Sequence, residues 1–169
     1  MGRLVLMSCC APCSVAAIQS LIKSGQDFIV LFNNPNIFPL AEYQQRLDEQ
    51  IKLCKEIGAK YHVLDYDHDN WKRRVAGLES EPERGARCTA CFQMRIEQGT
   101  KWARENGYDE ITTVFGLSPH KSQAQVDLAA KSVMAVKYMS VGFEYNPPNN
   151  MHRQNYCGCE FSETYKNET

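Results

Sequence analysis

Short apolar runs alternate along the chain with longer stretches in which apolar residues recur every three or four positions. Five of the runs are short enough, and are bounded closely enough by polar or turn residues, to predict β-strands. They span 4–7, 28–32, 61–65, 110–115 and about 138–143. Strands that take turns with helices are typical of an open, doubly wound, mostly parallel five-stranded sheet, a Rossmann-like α/β fold.

Three of the intervening stretches have helical spacing. The first spans 14–23, and the second contains Leu47, Ile51 and Cys54 and stops at Gly58. Because Cys54 falls on the apolar face of this helix, we expect it in the core. Ser118 and Pro119 predict the start of the third helix. The inner face of that helix would carry Val126, Ala129, Ala130, Val133 and Met134.

The length of the chain favours one domain. With 169 residues, of which 43% are hydrophobic, it is large enough to bury its own core. We interpret 1–169 as a single α/β domain. It carries a cysteine-containing helical insertion at about 68–105 and a cysteine-bearing C-terminal tail at about 144–169.

Cysteines are the unusual feature of the composition. Seven of the eight fall into three groups, which are Cys9, Cys10 and Cys13, then Cys88 and Cys91, then Cys157 and Cys159. We find no export signal and no apolar run of the roughly 18 residues that a membrane span needs, so we expect a cytoplasmic protein without membrane contact. In a reducing compartment, grouped thiols indicate metal or redox chemistry rather than disulfides.

The predicted topology brings all three groups to one edge of the sheet. The first group follows the first strand directly, the second lies in the long connection after the third strand, and the third lies within reach of the last strand. Four thiolates complete the coordination of one zinc ion, whereas this chain has seven grouped thiols. The set suits a four-iron cluster plus a second metal held by three thiolates, or a cluster with one open iron and some redox-active thiols.

Several other residues are candidates for the chemistry. His120 follows the fourth strand at the same edge, where it is a candidate proton donor. Lys+Arg (19) and Asp+Glu (20) nearly cancel, so a nucleic acid would need a local basic patch. Arg73, Arg74, Arg87 and Arg95 flank the second cysteine group and are candidate phosphate contacts. Tyr43 and Tyr156 are candidates for stacking on unpaired bases.

Five motifs together resemble one known family. They are SCCAPCS, NNPNIFPLAEYQQR, RCTACFQMR, TTVFGLSPHKSQ and RQNYCGCEFS, and they run from about Cys9 to Ser162. In order and spacing they are similar to the QueH family, the cobalamin-independent epoxyqueuosine reductases. The resemblance implies a fold similar to the adenine-nucleotide alpha-hydrolase (HUP) superfamily without its ATP chemistry. It adds Arg46, from the EYQQR motif, as a candidate substrate contact.

The resemblance also implies an activity. Members of the family are iron-sulfur enzymes. They reduce the epoxide of epoxyqueuosine at the wobble position of tRNA, which converts it to queuosine. We therefore expect a 4Fe-4S cluster, an additional mononuclear iron, a tRNA substrate and a ferredoxin- or flavodoxin-like electron donor. Two alternatives remain from the residues alone. One is a zinc-bound RNA-binding module without catalysis, and the other is a thiol-disulfide reductase that uses Cys9 and Cys10.

Overall fold

Five parallel strands form a single sheet in the computed structural model, which describes residues 2–133, 136–152 and 154–162. The strands are β1 (Leu4–Ser8), β2 (Phe28–Phe32), β3 (Tyr61–Val63), β4 (Glu110–Thr113) and β5 (Lys137–Tyr138). Their order is β3-β2-β1-β4-β5, and all four neighbouring pairs are parallel. The predicted α/β fold with an open five-stranded sheet is confirmed.

Five α-helices surround the sheet in the described part of the chain. They are α1 (Ala11–Lys23), α2 (Leu40–Ile57), α3 (His68–Arg74), α4 (Ala86–Glu105) and α5 (Gln123–Lys131), with a short 3-10 helix at Phe115–Leu117. Helix α1 packs against α2, and α4 packs against α5. Because β1 to β3 advance in one direction and β4 to β5 in the other, right-handed connections place these two helix pairs on opposite faces.

The core lies between the central strands and these helices. Strands β1 and β2 are buried because both of their faces are covered, which is why each is a nearly continuous apolar run. Gly99 allows α4 to approach β1 closely, since a Cβ there would lie 2.6 Å from the sulfur of Met7. Gly58 ends α2 in the left-handed conformation, as predicted.

Some predicted boundaries are wrong. Helix α1 begins at Ala11 and not at 14, because Pro12 fits the first turn, where its missing N–H costs no hydrogen bond. Helix α5 begins at Gln123, and its cap is Ser122 rather than Ser118. Ser118 instead accepts a hydrogen bond from the backbone N–H of His120. Strands β3, β4 and β5 end earlier than predicted, and Met134 lies outside the described residues.

The long connection between β3 and β4 contains two helices. Helix α3 is short, whereas α4 is the crossover helix that covers the sheet. Among the helices that the structure describes, none combines the length and the apolar character that crossing a bilayer requires.

Candidate functional site

The loop after β1 lies at the point where the strand order reverses. Strands β1 and β4 are neighbours, yet the connections that follow them leave in opposite directions. This reversal opens a crevice at the carboxyl ends of the strands, where open α/β sheets bind ligands. The chain places Cys9 and Cys10 directly after β1, and Cys13 in the first turn of α1.

These three cysteines form one compact group, which we call the triad. Their sulfur atoms all lie within 4.8 Å of one another, and those of Cys9 and Cys10 are 3.8 Å apart. All three side chains are buried. Thiolates that share one tetrahedral metal ion at 2.3 Å stand about 3.8 Å apart, so the triad has the spacing of ligands to a single ion.

Electrostatics single out Cys9 within the triad. Hydrogen bonds donated by Cys10 and then Cys13 hold the pKa of the Cys9 thiol well below its usual range, with smaller contributions from Lys121 and Arg95. Donating to Cys10 and to Cys9 raises the pKa of Cys13. The N-terminus of α1 adds a positive end that favours a thiolate. The triad therefore favours the thiolate form at Cys9, which is the form that binds a metal.

The other four grouped cysteines, which we call the tetrad, line one pocket beside α4. They are Cys88, Cys91, Cys157 and Cys159. Cys88 and Cys91 lie three positions apart near the start of α4, so their side chains share one face of the helix. Among the described residues, only the triad brings three potential ligand atoms within 4.8 Å. Four thiols that share a pocket without crowding around one point suit a multi-iron cluster, in which each thiolate binds a different iron.

Backbone amides already point at two tetrad sulfurs. The N–H of Arg84 donates to Cys88 at 3.3 Å, and the N–H of Phe161 donates to Cys159 at 3.4 Å. Arg84 has a positive φ of 65°, an uncommon conformation for a residue with a side chain. Burial raises the pKa of Cys88 and of Cys159. The two thiols are thus oriented as ligands but need a metal to favour the thiolate form.

The C-terminal tail is held against the loop after β2 and against α2. Cys159 pairs with Ile37 in an antiparallel bridge, and the N–H of Phe38 donates to the oxygen of Gly158 at 2.8 Å. Arg46 donates to the oxygens of Tyr156 and Cys157, both at 3.1 Å. A Cβ on Gly158, whose φ is 108°, would lie 2.9 Å from Ile37, so this position requires glycine.

A second contact fixes the tail to α3. The carboxylate of Glu160 lies 3.0 Å from Nε2 of His68 and 3.6 Å from Nζ of Lys72. The other ring nitrogen of His68 lies 2.7 Å from the oxygen of Pro35. These contacts and those of Arg46 bring Cys157 and Cys159 to the cysteines of α4.

Two cationic side chains lie close to both the triad and the tetrad. Arg95 and Lys121 both line the tetrad pocket, and both favour the thiolate of Cys9. Burial raises the pKa of Cys157, and Lys121 opposes that rise. The three cysteine groups of the sequence therefore fold into two adjacent sets, a triad and a tetrad.

The predicted substrate residues are divided by their burial. Arg73 and Arg74 are exposed on α3. Arg87 and Arg95, in contrast, are 1% and 0% exposed and line the tetrad pocket, so the basic surface expected around the second cysteine group does not include them. His120 lines the same pocket.

Arg46 and the two tyrosines lie inside the protein. Tyr43 is buried and packs against Phe32 and Tyr66. The hydroxyl of Tyr156 donates to the oxygen of Phe38. Arg46 pairs with Glu42 at 2.7 Å, and Arg46 is buried while Glu42 is partly buried, so the pair does not lie on a solvated helix face. All three side chains help to hold the tail or the core beside it.

Sequence reasoning did not assign several residues around the thiols. Gln50 on α2 is buried, and its amide oxygen accepts hydrogen bonds from Ser8 at 2.6 Å and Ser14 at 2.9 Å, on either side of the triad. Asn36 and Gln125 line the tetrad pocket. Single asparagine and glutamine residues form no pattern in the sequence, so their position beside the thiols could not be predicted.

The expected iron-sulfur group fits these residues. Three thiols stand within 4.8 Å of one another, four more line a single neighbouring pocket, and backbone N–H groups point at two of those four sulfurs. All eight cysteines are free thiols. Cys54 lies on α2 and is fully buried in the core. The prediction that Cys54 stands apart from the metal ligands agrees with this position.

Comparison with known proteins identifies the family of the chain. The sequence profile of the family described as "Epoxyqueuosine reductase QueH" matches residues 4–165. Proteins with this same name are similar to the chain over 95% of its length. The one from Histophilus somni is 38% identical with 72% of its own length covered, the one from Haemophilus influenzae 37% with 71%, and the one from Acinetobacter baylyi 36% with 80%.

A solved structure shares the fold. It is a predicted subunit of a tRNA methyltransferase from Methanocaldococcus jannaschii, with a TM-score of 0.55 and 13% identity over 82% of this chain and 67% of that one. At this identity the likeness concerns the fold alone, and it agrees with the α/β architecture that the resemblance implied. Family profile and relatives together establish that the chain belongs to the QueH family of epoxyqueuosine reductases.

Proposed function

We propose that this chain reduces the epoxide of epoxyqueuosine at the wobble position of tRNA, with the tetrad holding a 4Fe-4S cluster and the triad holding a mononuclear iron. The observation that carries the proposal is the division of seven thiols into three within 4.8 Å and four around a neighbouring pocket. Cys88 and Cys91 come from the predicted insertion at 68–105, of which α4 is also the crossover helix of the sheet, and Cys157 and Cys159 come from the predicted tail at 144–169. The zinc module and the thiol-disulfide reductase are less well supported, because neither accounts for both sets.

The reaction sets the demands on the site. Loss of the epoxide oxygen as water, which leaves an alkene, takes two electrons and two protons. When bound, the metal centres supply electrons one at a time and a Lewis acid for the oxygen. A ferredoxin- or flavodoxin-like protein is the proposed source of the electrons. The protons must come from side chains or water at the pocket.

His120 is the proposed proton donor. It lines the tetrad pocket next to Lys121, which is itself close enough to favour the thiolates of Cys9 and Cys157. An imidazole N–H that lines this pocket can donate to a leaving oxygen there. Lys121 keeps the local potential positive, which favours a developing negative charge on that oxygen.

Substrate contacts are proposed for the exposed arginines. Arg73 and Arg74 lie on α3, and the neighbouring residue Trp71 lines the tetrad pocket. Phosphates of an anticodon loop bound across α3 would thus lie beside the entrance to the metal site. Phosphate contacts of this kind position the tRNA without reading its sequence.

Turnover under anaerobic conditions tests the proposal. Protein reconstituted with iron and sulfide and then reduced should convert epoxyqueuosine in tRNA to queuosine, seen by mass spectrometry of the nucleosides as loss of one oxygen atom. His120→Gln should keep its iron and sulfide but lose at least about tenfold in kcat. A fully loaded protein that leaves the epoxide intact, or a colourless protein that binds zinc alone, would contradict the proposal.

A further inference from the structure

Buried polar atoms without partners are concentrated at the tetrad. Among the described residues, seven buried side-chain nitrogen or oxygen atoms have no hydrogen-bond partner. Five of them belong to residues that line the tetrad pocket, which are Asn36, Trp71, Arg87, Arg95 and Gln125. Buried polar groups are almost always satisfied in folded proteins, so such a concentration points to a ligand that completes them.

Three of these five atoms are donors. They are Nε1 of Trp71, Nε of Arg87 and Nη1 of Arg95, and each carries an N–H. Donors with no acceptor require a ligand rich in acceptor atoms. The sulfides and thiolates of an iron-sulfur cluster are acceptors of this kind, whereas the neutral thiols beside them are weak acceptors.

The arginines also lack a counter-ion. Arg87 donates to the backbone oxygens of Leu78, Glu79 and Glu81. Arg95 donates to the backbone oxygen of Asn33 at 3.1 Å and to the side chain of Asn34. In the part of the chain that the structure describes, neither has a carboxylate within ion-pair distance. A buried charge without a partner is strongly destabilising, so a negative group must lie close by in the working protein.

Nearby thiols are the available negative groups. Arg87 and Arg95 line the same pocket as Cys88, Cys91, Cys157 and Cys159. The guanidinium carbon of Arg95 lies 3.7 Å from the ring centre of Phe115. The two arginines thus face the thiols from positions that solvent does not reach.

We propose that Trp71, Arg87 and Arg95 donate hydrogen bonds to the iron-sulfur cluster of the tetrad and raise its reduction potential. This inference rests on the proposed function, since it needs a cluster at the tetrad. Reduction adds negative charge, which N–H dipoles and guanidinium groups stabilise more than they stabilise the oxidised form. A cluster with a raised potential accepts electrons more readily from a ferredoxin- or flavodoxin-like donor.

Substrate phosphates are a less suitable partner for these donors. Trp71, Arg87 and Arg95 are each at most 1% exposed, so a polynucleotide backbone cannot reach them without opening the fold. Arg73 and Arg74 are exposed on α3, where Arg74 pairs with Glu97 at 3.0 Å, and a polynucleotide can reach both. The three buried residues therefore act on the cluster and not directly on the tRNA.

Trp71→Phe is the sharpest test, because it removes one N–H and keeps an aromatic ring. The ring of Trp71 stacks on His68 and Phe161, and phenylalanine can keep both contacts. Arg87→Gln and Arg95→Lys complete the set, the second keeping the charge but losing the fixed fork of donors. Arg104→Gln is the matched control, since it removes an exposed arginine from the last turn of the same helix.

The readout is the midpoint potential of the cluster, followed by electron paramagnetic resonance during a redox titration, with iron and sulfide measured on the same samples. We expect a lower potential in Trp71→Phe and Arg87→Gln, a smaller decrease in Arg95→Lys and no change in Arg104→Gln. Unchanged potentials in Trp71→Phe and Arg87→Gln with a full cluster would overturn this inference while leaving the proposed function intact. Wild-type protein without a sulfide-containing cluster would instead overturn the proposed function.

Discussion

Arg46 on α2 donates a hydrogen bond of 3.1 Å to the backbone oxygen of Cys157, 111 residues further along the chain. Its other terminal nitrogen donates to the oxygen of Tyr156. One buried guanidinium therefore fixes the segment that supplies two of the four tetrad thiols. Metal binding at the tetrad consequently depends on how well the tail is held as well as on the cysteines themselves.

Gly158→Ala should release this segment. The residue has a φ of 108°, and an added Cβ would meet Ile37 at 2.9 Å and Arg46 at 3.1 Å. We expect a stability loss of about 1–2 kcal/mol from the backbone conformation alone, with more from the contact. Because the tail carries Cys157 and Cys159, most of the sulfide should be lost, as measured by elemental and sulfide analysis.

Gly142→Ala is the matched control for that experiment. A Cβ at Gly142 meets nothing within 4 Å, and the residue does not have a positive φ. We expect stability within about 0.5 kcal/mol of the wild type and an unchanged iron content. Equal sulfide content in the two variants would mean that the contacts of the tail do not position the tetrad.

Cys54→Ala should keep all of its metal. Cys54 is fully buried on α2, where its sulfur lies 3.5 Å from the amide nitrogen of Gln50. We expect only a packing loss of about 1 kcal/mol, measured by denaturant unfolding. Cys91→Ala is the comparison, since it removes a tetrad ligand and should abolish the cluster absorption. Loss of that absorption in Cys54→Ala would refute the assignment of Cys54 to the core.

Arg73→Gln should weaken binding of the tRNA without changing the chemical step. The side chain is exposed on α3 and is a proposed phosphate contact. We expect a KM for tRNA raised severalfold, an unchanged kcat, and a salt dependence of binding reduced by about one phosphate contact. Lys23→Gln, at the end of α1, is the control, because it removes an equal charge at the opposite edge of the sheet.

Free epoxyqueuosine, as a nucleoside without phosphates, is a second test of the exposed arginines. Without phosphates it gains nothing from Arg73 and Arg74, so it should be turned over poorly by the wild type. If free epoxyqueuosine and the tRNA were converted equally well, the exposed arginines would have no role in substrate binding.

Hydrophobic patterning determines much of this fold. Strand β2 was predicted at its observed bounds, and α2 at its observed end, because a buried strand and a glycine cap are local features of the sequence. Strand β5 is shorter than predicted, since pairing with β4 extends over two residues only. The start of α5 was misplaced because Ser118 and Ser122 are both capable caps, and the choice between them depends on tertiary contacts.

The candidate site was predicted less completely. The grouping of the cysteines along the sequence predicts which seven thiols belong to the site. Which of them form the triad and which form the tetrad depends on where the tail docks. That docking relies on contacts between residues far apart in the chain, such as His68 with Glu160. Likewise, the sequence does not distinguish exposed Arg73 on α3 from buried Arg95 on α4. Both lie in polar helical stretches, and their burial depends on which side of each helix faces the protein.

Iron and sulfide analysis of cysteine variants under anaerobic conditions tests the division of the thiols most directly. The wild type should hold about five irons and about four sulfides per chain. Cys13→Ala should lose about one iron and no sulfide, whereas Cys159→Ala should lose most of the sulfide together with most of the iron. An iron-to-sulfide ratio of one in the wild type, with three titratable thiols besides Cys54, would contradict the account, as would sulfide loss in Cys13→Ala.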